Sequence, residues 1–263
     1  MSDDAIVKVS LEPRAGWLVA RVTLDNPRKL NILDRAALAA LAQAMRDAEE
    51  HEGLRAVVLT GAGDKAFIGG ANLDDLAALD PASARDFIGL MHGACAAMRD
   101  CPVPVIARVN GWCLGGGLEI AAACDLRIAA EGAMFGMPEV RLGIPSVVEA
   151  ALLPRLMGTG RARWLVMTGE TIDAREALAW GLVERVVPAA RLDAAVDAAL
   201  DAILAGSDEA IRAQKRLCAL WEEAPLDAAV RASIDEFARS YESGEPARRI
   251  EAFKRARKAK PRG

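Results

Sequence analysis

The chain has 263 residues, 52% hydrophobic but only 4% aromatic, with 27% charged and a formal net charge of −4. Much of the apolar share is alanine, which is ample for a sizeable core and favours closely packed helices over an all-β design. The acidic balance argues against a general nucleic-acid binder, and five cysteines (Cys95, Cys101, Cys113, Cys124, Cys218) without CxxC spacing suggest neither a disulfide framework nor a structural metal site.

The start, MSDDAIVKVS, has no apolar run behind basic residues, and no window of about 18 residues is apolar without charge. The expectation is a cytoplasmic protein with reduced thiols and no membrane span. Gly16 to Leu24 alternates Leu18, Ala20, Val22 and Leu24 against Trp17, Val19, Arg21 and Thr23, the period of a strand, and Asn26 and Pro27 break it. Asp34 is a good N-cap for a helix with Leu38, Leu41, Ala42 and Met45 on one face. Arg55 to Thr60 reads as a short buried strand, and Pro81 to Ser83 introduce a helix with Phe87, Met91, Ala94 and Met98 in register. Val103 to Val109 is a third strand, with Pro104 marking an edge or a start, and DLRIAA a fourth. Beyond Gly158 the texture is helical: Arg161 to Thr168, Asp173 to Trp180, then a brief LVERVV strand and amphipathic runs from Leu192, Asp208 and Asp227. The spacing predicts an α/β core over residues 1–190 and a helical lid or oligomerisation region over 191–263.

Two glycine-bearing turns stand out, KAFIGGANLDDL (Lys65 to Leu76) and NGWCLGGGLEIAAACDLRIA (Asn110 to Ala129). Gly115, Gly116 and Gly117 are a poor way to start a helix, at roughly 1 kcal/mol each relative to alanine in an interior position, so something is expected to approach that backbone. Neither turn matches GxxxxGK[ST] or G-x-G-x-x-G, which sets nucleotide phosphates aside. An anion or developing oxyanion held by backbone N–H groups and tight helix packing both remain open. Glu119 falls in the first turn of an apolar helix, and Glu139 is presented by MFGMPEVRLGIP from an ordered loop, with an ordinary ion pair to Arg141 as its alternative. Two carboxyls in one pocket split their pKa values, and such a pair can add or remove water across a double bond.

In chain order, LDNPRKLNILD, KAFIGGANLDDL, NGWCLGGGLEIAAACDLRIA, FGMPEVRLGI and TGETIDAREALAWGLVERVV resemble the motifs of the enoyl-CoA hydratase/isomerase, or crotonase, family over nearly the whole chain. The resemblance implies an α/β spiral of ββα units with a C-terminal helical trimerisation region, assembling as a homotrimer or as a hexamer of stacked trimers. It implies that Ala71 and Gly116 donate backbone N–H groups to a thioester oxygen and that Glu119 and Glu139 are the two hydratase glutamates. Substrate-binding positions follow at Leu30 and Gly69, near the adenine end of coenzyme A, and at Gly70, with Trp112 a candidate contact for the acyl chain. The implied activity is a hydro-lyase acting on a 2-enoyl-CoA without metal or redox cofactor, coenzyme A being part of the substrate. The alternatives are a double-bond isomerase, a CoA-thioester hydrolase, or a non-catalytic acyl-CoA or RNA binder. In this division of labour Glu119, near the helix start, is the ionised base and Glu139 the protonated acid.

The chain departs from the family after Glu139, where GIPSVVEAALLPRL replaces a glycine-rich run of the form P-G-A-G-G-T. That stretch normally shapes the acyl pocket and places water, so Ser146 is a further substrate-binding candidate. Ser146 and Glu149 also read as S-x-x-E, a capping box for the helix VVEAALLPRL, with Glu149 as a third pocket carboxylate the alternative. Asn72 stands where many relatives have aspartate. His51 and His92 are expected to be surface or packing residues. The basic residues Arg248, Arg249, Lys254, Arg255, Arg257, Lys258, Lys260 and Arg262 form a solvated helix face from which one or two could reach the 3′-phosphate of coenzyme A.

Overall fold

The structure is a computed structural model and describes residues 6–259. Strands β1 (Val7–Arg14) and β2 (Trp17–Leu24) form a hairpin, followed by α1 (Arg35–Glu49), β3 (Leu54–Gly61), β4 (Ala66–Ile68), α2 (Leu73–Ala77) and α3 (Pro81–Asp100). Next come β5 (Val105–Val109), β6 (Trp112–Leu114), α4 (Gly116–Ala123), β7 (Leu126–Ala130) and β8 (Met134–Gly136). Two 3-10 turns, Pro138–Leu142 and Val148–Leu152, lead to α5 (Leu153–Met157), α6 (Thr159–Thr168), β9 (Thr171–Asp173), α7 (Ala174–Trp180) and β10 (Arg185–Val187). Four helices end the chain: α8 (Leu192–Ala205), α9 (Asp208–Glu223), α10 (Leu226–Arg239) and α11 (Glu245–Ala259).

The strands form two sheets, one ordered β1-β2-β3-β5-β7-β10 and one ordered β4-β6-β8-β9. Apart from the antiparallel pairs β1/β2 and β8/β9, every pairing is parallel. Each of β3, β5 and β7 lies in the larger sheet and is followed directly by a three-residue strand in the smaller one. The chain therefore advances by repeated strand-strand units with helices between, the spiral that the motifs implied. The reason is legible in β3, whose eight residues are all buried: a strand covered on both faces has no polar side to alternate.

The helix faces form as expected. Asp34 accepts a hydrogen bond from Ala37 N at 2.7 Å, and Leu38, Leu41, Ala42 and Met45 are buried. Asp80 and Ser83 make a reciprocal capping box for α3, with Phe87, Met91, Ala94 and Met98 buried. Pro104 precedes β5, an inner strand, so it marks a start and not an edge.

Two compact units divide the chain, one ending at Ile203 and one beginning at Leu204. In the second, α9 and α10 pack together, with Trp221 Nε1 donating to Ser233 Oγ at 3.1 Å. No helix among the described residues is long and apolar enough to cross a membrane.

Candidate active site

Three different neighbours account for the three glycines at the start of α4. Gly115 has φ +52°, and a Cβ there would lie 2.5 Å from Glu139 Oε1. A Cβ at Gly116 would lie 2.3 Å from Met91 Cε, and one at Gly117 would lie 2.3 Å from the Ile68 carbonyl oxygen. What approaches this backbone is thus largely the protein itself, and tight packing covers Gly116 and Gly117. At Gly115 the approaching group is a carboxylate.

The same turns leave two donors over. Leu33 N donates to Gly70 O and Asn72 N donates to Leu33 O, both at 2.8 Å, so this parallel bridge passes Ala71 by. Gly116 is the first residue of α4 and has no carbonyl four residues back within the helix. Among the described residues the N–H groups of Ala71 and Gly116 have no acceptor. The two loops meet immediately upstream of them: Gly70, at φ +113°, leaves its missing Cβ 3.3 Å from Leu114 O. Asn72 caps α2 by accepting from Asp74 N at 3.0 Å, a role that either an asparagine or an aspartate fills.

Two asparagines hold the first loop in shape, and sequence reasoning passed over both. Asn31 Nδ2 donates to the carbonyls of Ala62 and Ala66 at 3.0 and 2.9 Å. Asn110 Nδ2 donates to Gly61, Gly63 and Ala66 at 3.0, 2.8 and 3.1 Å. Their signal in the sequence was only their place within the two motifs.

All eight residues of α4 are buried, Glu119 among them at 4% exposure. Its Oε1 accepts from Ala150 N at 3.3 Å. Burial is the main cause that pushes the Glu119 carboxyl up to about 8; the negative charges of Glu139 and Glu149 add to it, and the Ala150 hydrogen bond opposes it. Glu139 sits in the first 3-10 turn, and its Oε2 accepts from Ser146 Oγ at 2.8 Å. Burial raises Glu139 as well, offset by its own backbone N–H and by Ser146. Glu119 therefore keeps its proton near neutrality, held there first by burial and then by the negative charge of Glu139. This corrects the expectation of an ionised Glu119: the helix start favours a carboxylate less than burial penalises it. The alternative pairing of Glu139 with Arg141 is not formed, because Arg141 Nε donates to Thr168 O at 3.4 Å.

The capping box at Ser146 and Glu149 is also corrected. The segment starts as a 3-10 turn whose N-cap is Val147, with no side-chain cap, and Ser146 turns to Glu139 instead. Val148 has φ +39°. A β-branched residue there carries strain on the order of 1–3 kcal/mol and persists only where its surroundings hold it. Glu149 is 4% exposed and its Oε1 lies 2.8 Å from Nδ1 of His92 on α3, while its buried Oε2 has no hydrogen-bond partner. His92 is therefore more than a surface residue, and the alternative reading of Glu149 as a third carboxylate of this cluster is the one realised.

Gly69 N donates to Leu30 O at 2.9 Å, which joins those two candidates, and Leu30 is half-exposed at φ +57°. Trp112 opens β6 opposite Ala66 and Met134, at the end of that strand remote from Gly116. Among the described residues no hydrogen bond or ring contact ties Trp112 to Glu119 or Glu139. Of the basic residues, Arg249 pairs with Glu245 at 2.6 Å, Lys254 with Glu251 at 3.0 Å, and Arg248 donates to Ser243 O at 3.1 Å. Arg255 and Arg257 are exposed, and Lys260 and Arg262 lie outside the described residues. Among the described residues no group of three or more His, Cys, Asp or Glu side chains is placed to hold a metal ion.

The family described as enoyl-CoA hydratase/isomerase matches residues 15–261. The chain is 34% identical over 241 residues to a short-chain-enoyl-CoA hydratase from Clostridium acetobutylicum, covering 91% of this chain and 92% of that protein. It is 36% identical over 211 residues to an (E)-benzylidenesuccinyl-CoA hydratase from Thauera aromatica, covering 80% and 82%. Its fold matches the crystal structure of an enoyl-CoA hydratase from Bacillus anthracis with a TM-score of 0.89 at 32% identity, over 96% of this chain and 97% of that one.

Proposed function

The chain belongs to the enoyl-CoA hydratase/isomerase family, and from that premise we propose that it adds water across the double bond of a 2-enoyl-CoA thioester. The observation that carries this reading is a buried carboxyl, Glu119, and a half-buried one, Glu139, set beside two backbone donors that lack acceptors among the described residues. Hydration needs both. Water attacks C3 while a base takes its proton, the C2–C3 π electrons move toward the thioester, and an enolate-like oxygen develops until C2 is protonated. The N–H groups of Ala71 and Gly116 are aimed at that oxygen in this reading, and losing one such donor costs roughly 3–4 kcal/mol of transition-state stabilisation. The ionised member of the pair accepts from water and the protonated member delivers to C2. With Glu119 protonated at rest, this proposal makes Glu119 the acid and Glu139 the base, with Ser146 orienting Glu139. No redox group or metal enters these steps.

Leu30, Gly69 and Gly70 line the coenzyme A portion in this proposal. Relatives named for a short-chain and for an aryl-bearing substrate are similar to this chain at 34% and 36% identity, so identity does not choose between them. Assembly into trimers is part of the proposal and draws support from α10. Leu226, Val230, Ile234 and Phe237 recur on one face of this helix at 50% exposure or more, more apolar surface than a lone helix usually leaves in water. Analytical ultracentrifugation giving a monomer would remove that part. The reaction itself is tested by the loss of conjugated-thioester absorbance over short, branched and aromatic 2-enoyl-CoAs, with product identified by mass. A gain of one water is expected; a product of unchanged mass would indicate an isomerase, and free coenzyme A a hydrolase.

A further inference from the structure

The 3-10 turn Val148–Leu152 packs against both α3 and α4, and it touches Glu119 through neighbouring residues. Ala150 donates its N–H to Glu119 Oε1 at 3.3 Å, and the carboxyl of Glu149 is close enough for its charge to bear on Glu119. On the other side Glu149 meets α3, where His92 Nδ1 is 2.8 Å from Oε1 and the buried thiol of Cys95 is adjacent. Burial first, then the charges of Glu149 and Glu119, push that thiol well up, so it faces the cluster as a neutral group. The groups around Glu149 are thus His92 and Cys95 from α3 and Glu119 from α4, with Glu139 beyond Glu119. His92 leaves 60% of its side chain in solvent, so a surface imidazole is linked to an interior carboxylate. The turn adopts φ +39° at Val148 to present Glu149, in the stretch where the sequence departs from the family's glycine-rich run.

We propose that Glu149 and His92 form a supporting pair behind Glu119, and that Glu149 is a positioning residue which sets where Glu119 sits and how tightly it keeps its proton. The inference rests on the reading of Glu119 as one of the two working carboxyls. His92, as the Nδ1–H donor, holds Glu149 in place; the charge of Glu149 opposes ionisation of Glu119; and Ala150 fixes the Glu119 oxygen. A carboxylic acid is thereby held ready at neutral pH next to the base Glu139.

The test follows the carbonyl band of the buried protonated carboxyl by infrared spectroscopy against pH, a readout that needs no substrate, beside kcat and KM on an active enoyl-CoA. The band is expected to titrate near 8 in the parent and to vanish in Glu119→Gln. In Glu149→Gln its midpoint should fall by about one pH unit, a tenfold loss of proton affinity, with kcat lowered more than KM, and Glu149→Asp should restore part of both. Because Glu149 is buried and its variants could fail to fold, His92→Leu and His92→Gln are made as well. His92 is exposed; leucine, which cannot donate, should move the band in the same direction by a smaller amount, and glutamine, which can, should leave it near the parent's. A coincident titration in the parent, folded Glu149→Gln and His92→Leu overturns the proposal, as does the absence of a band that depends on Glu119. Absence of water addition with a band that still shifts would instead overturn the hydratase reading and leave the supporting pair standing.

Discussion

Substituting each glycine of the GGG turn by alanine separates the reasons for the three. Gly117→Ala drives a Cβ to 2.3 Å from the Ile68 carbonyl oxygen and 2.7 Å from Ile68 Cβ. Backbone cannot step aside, and β4 and α4 must part; overpacking of this kind costs about 1–3 kcal/mol or more. Gly116→Ala meets the terminal methyl of Met91 at 2.3 Å, a flexible end that can rotate away, and the helix regains up to about 1 kcal/mol of propensity. Gly115→Ala pays for a φ of +52° and presses within 2.5 Å of Glu139 Oε1. The backbone part is about 1–3 kcal/mol, and the displaced carboxylate adds a loss of activity beyond the loss of stability. Urea unfolding should therefore rank Gly117→Ala as the least stable and Gly116→Ala as the most. Turnover per folded molecule should fall furthest in Gly115→Ala, by tenfold or more, since a displacement near 1 Å costs about that or more. Equal stability of Gly116→Ala and Gly117→Ala, or full activity in Gly115→Ala, would refute this account of the turn.

Three further outcomes follow from the same geometry. Glu119 holds its proton up to about 8 when folded, against 4.5 for an ordinary glutamate; between those values the folded chain binds the extra proton, so stability should fall as pH rises, by about 5 kcal/mol at most. Glu119→Gln, which cannot ionise, should be more stable than the parent at about pH 8.5 and lose most of that advantage by about pH 5.5, and urea titrations at the two pH values check it. Ser146→Ala removes the hydrogen bond to Glu139 and not a helix cap, so kcat/KM should fall by about tenfold, as for a bond to a charged group, with less than the roughly 1 kcal/mol stability loss of a broken cap. Arg127 is 3% exposed, pairs with Glu184 at 2.5 Å, and donates to Leu182, Cys124 and Ala121 at 2.9, 2.7 and 3.3 Å. It closes the C-terminal end of α4, and Arg127→Met should destabilise the chain by about 3 kcal/mol or more in urea unfolding.

The long elements were legible because their periods run for several turns or pleats: Leu38 to Met45 and Phe87 to Met98 are buried as their spacing indicates. Strands β4, β6, β8 and β9 have three residues each, too few for an alternation to be seen, so the second sheet was not visible. Val7 to Arg14 was passed over although Val7, Val9 and Leu11 alternate, and β1 exists there. Glu119 and Glu139 could be found from their motifs. Their charges could not, because burial and the distance between two loops decide them. Ser146 with Glu139 and His92 with Glu149 are contacts across 7 and 57 residues; local chemistry read the first as a cap and gave the second no partner.

Glu119→Gln and Glu139→Gln, assayed beside the parent for turnover and for binding of an enoyl-CoA, decide whether both carboxyls take part in the reaction. Turnover should collapse in both variants, by a hundredfold or more as for loss of a general acid or base, while the thioester still binds with nearly the parent's Kd. Turnover that survives in either variant would contradict the two-carboxyl account.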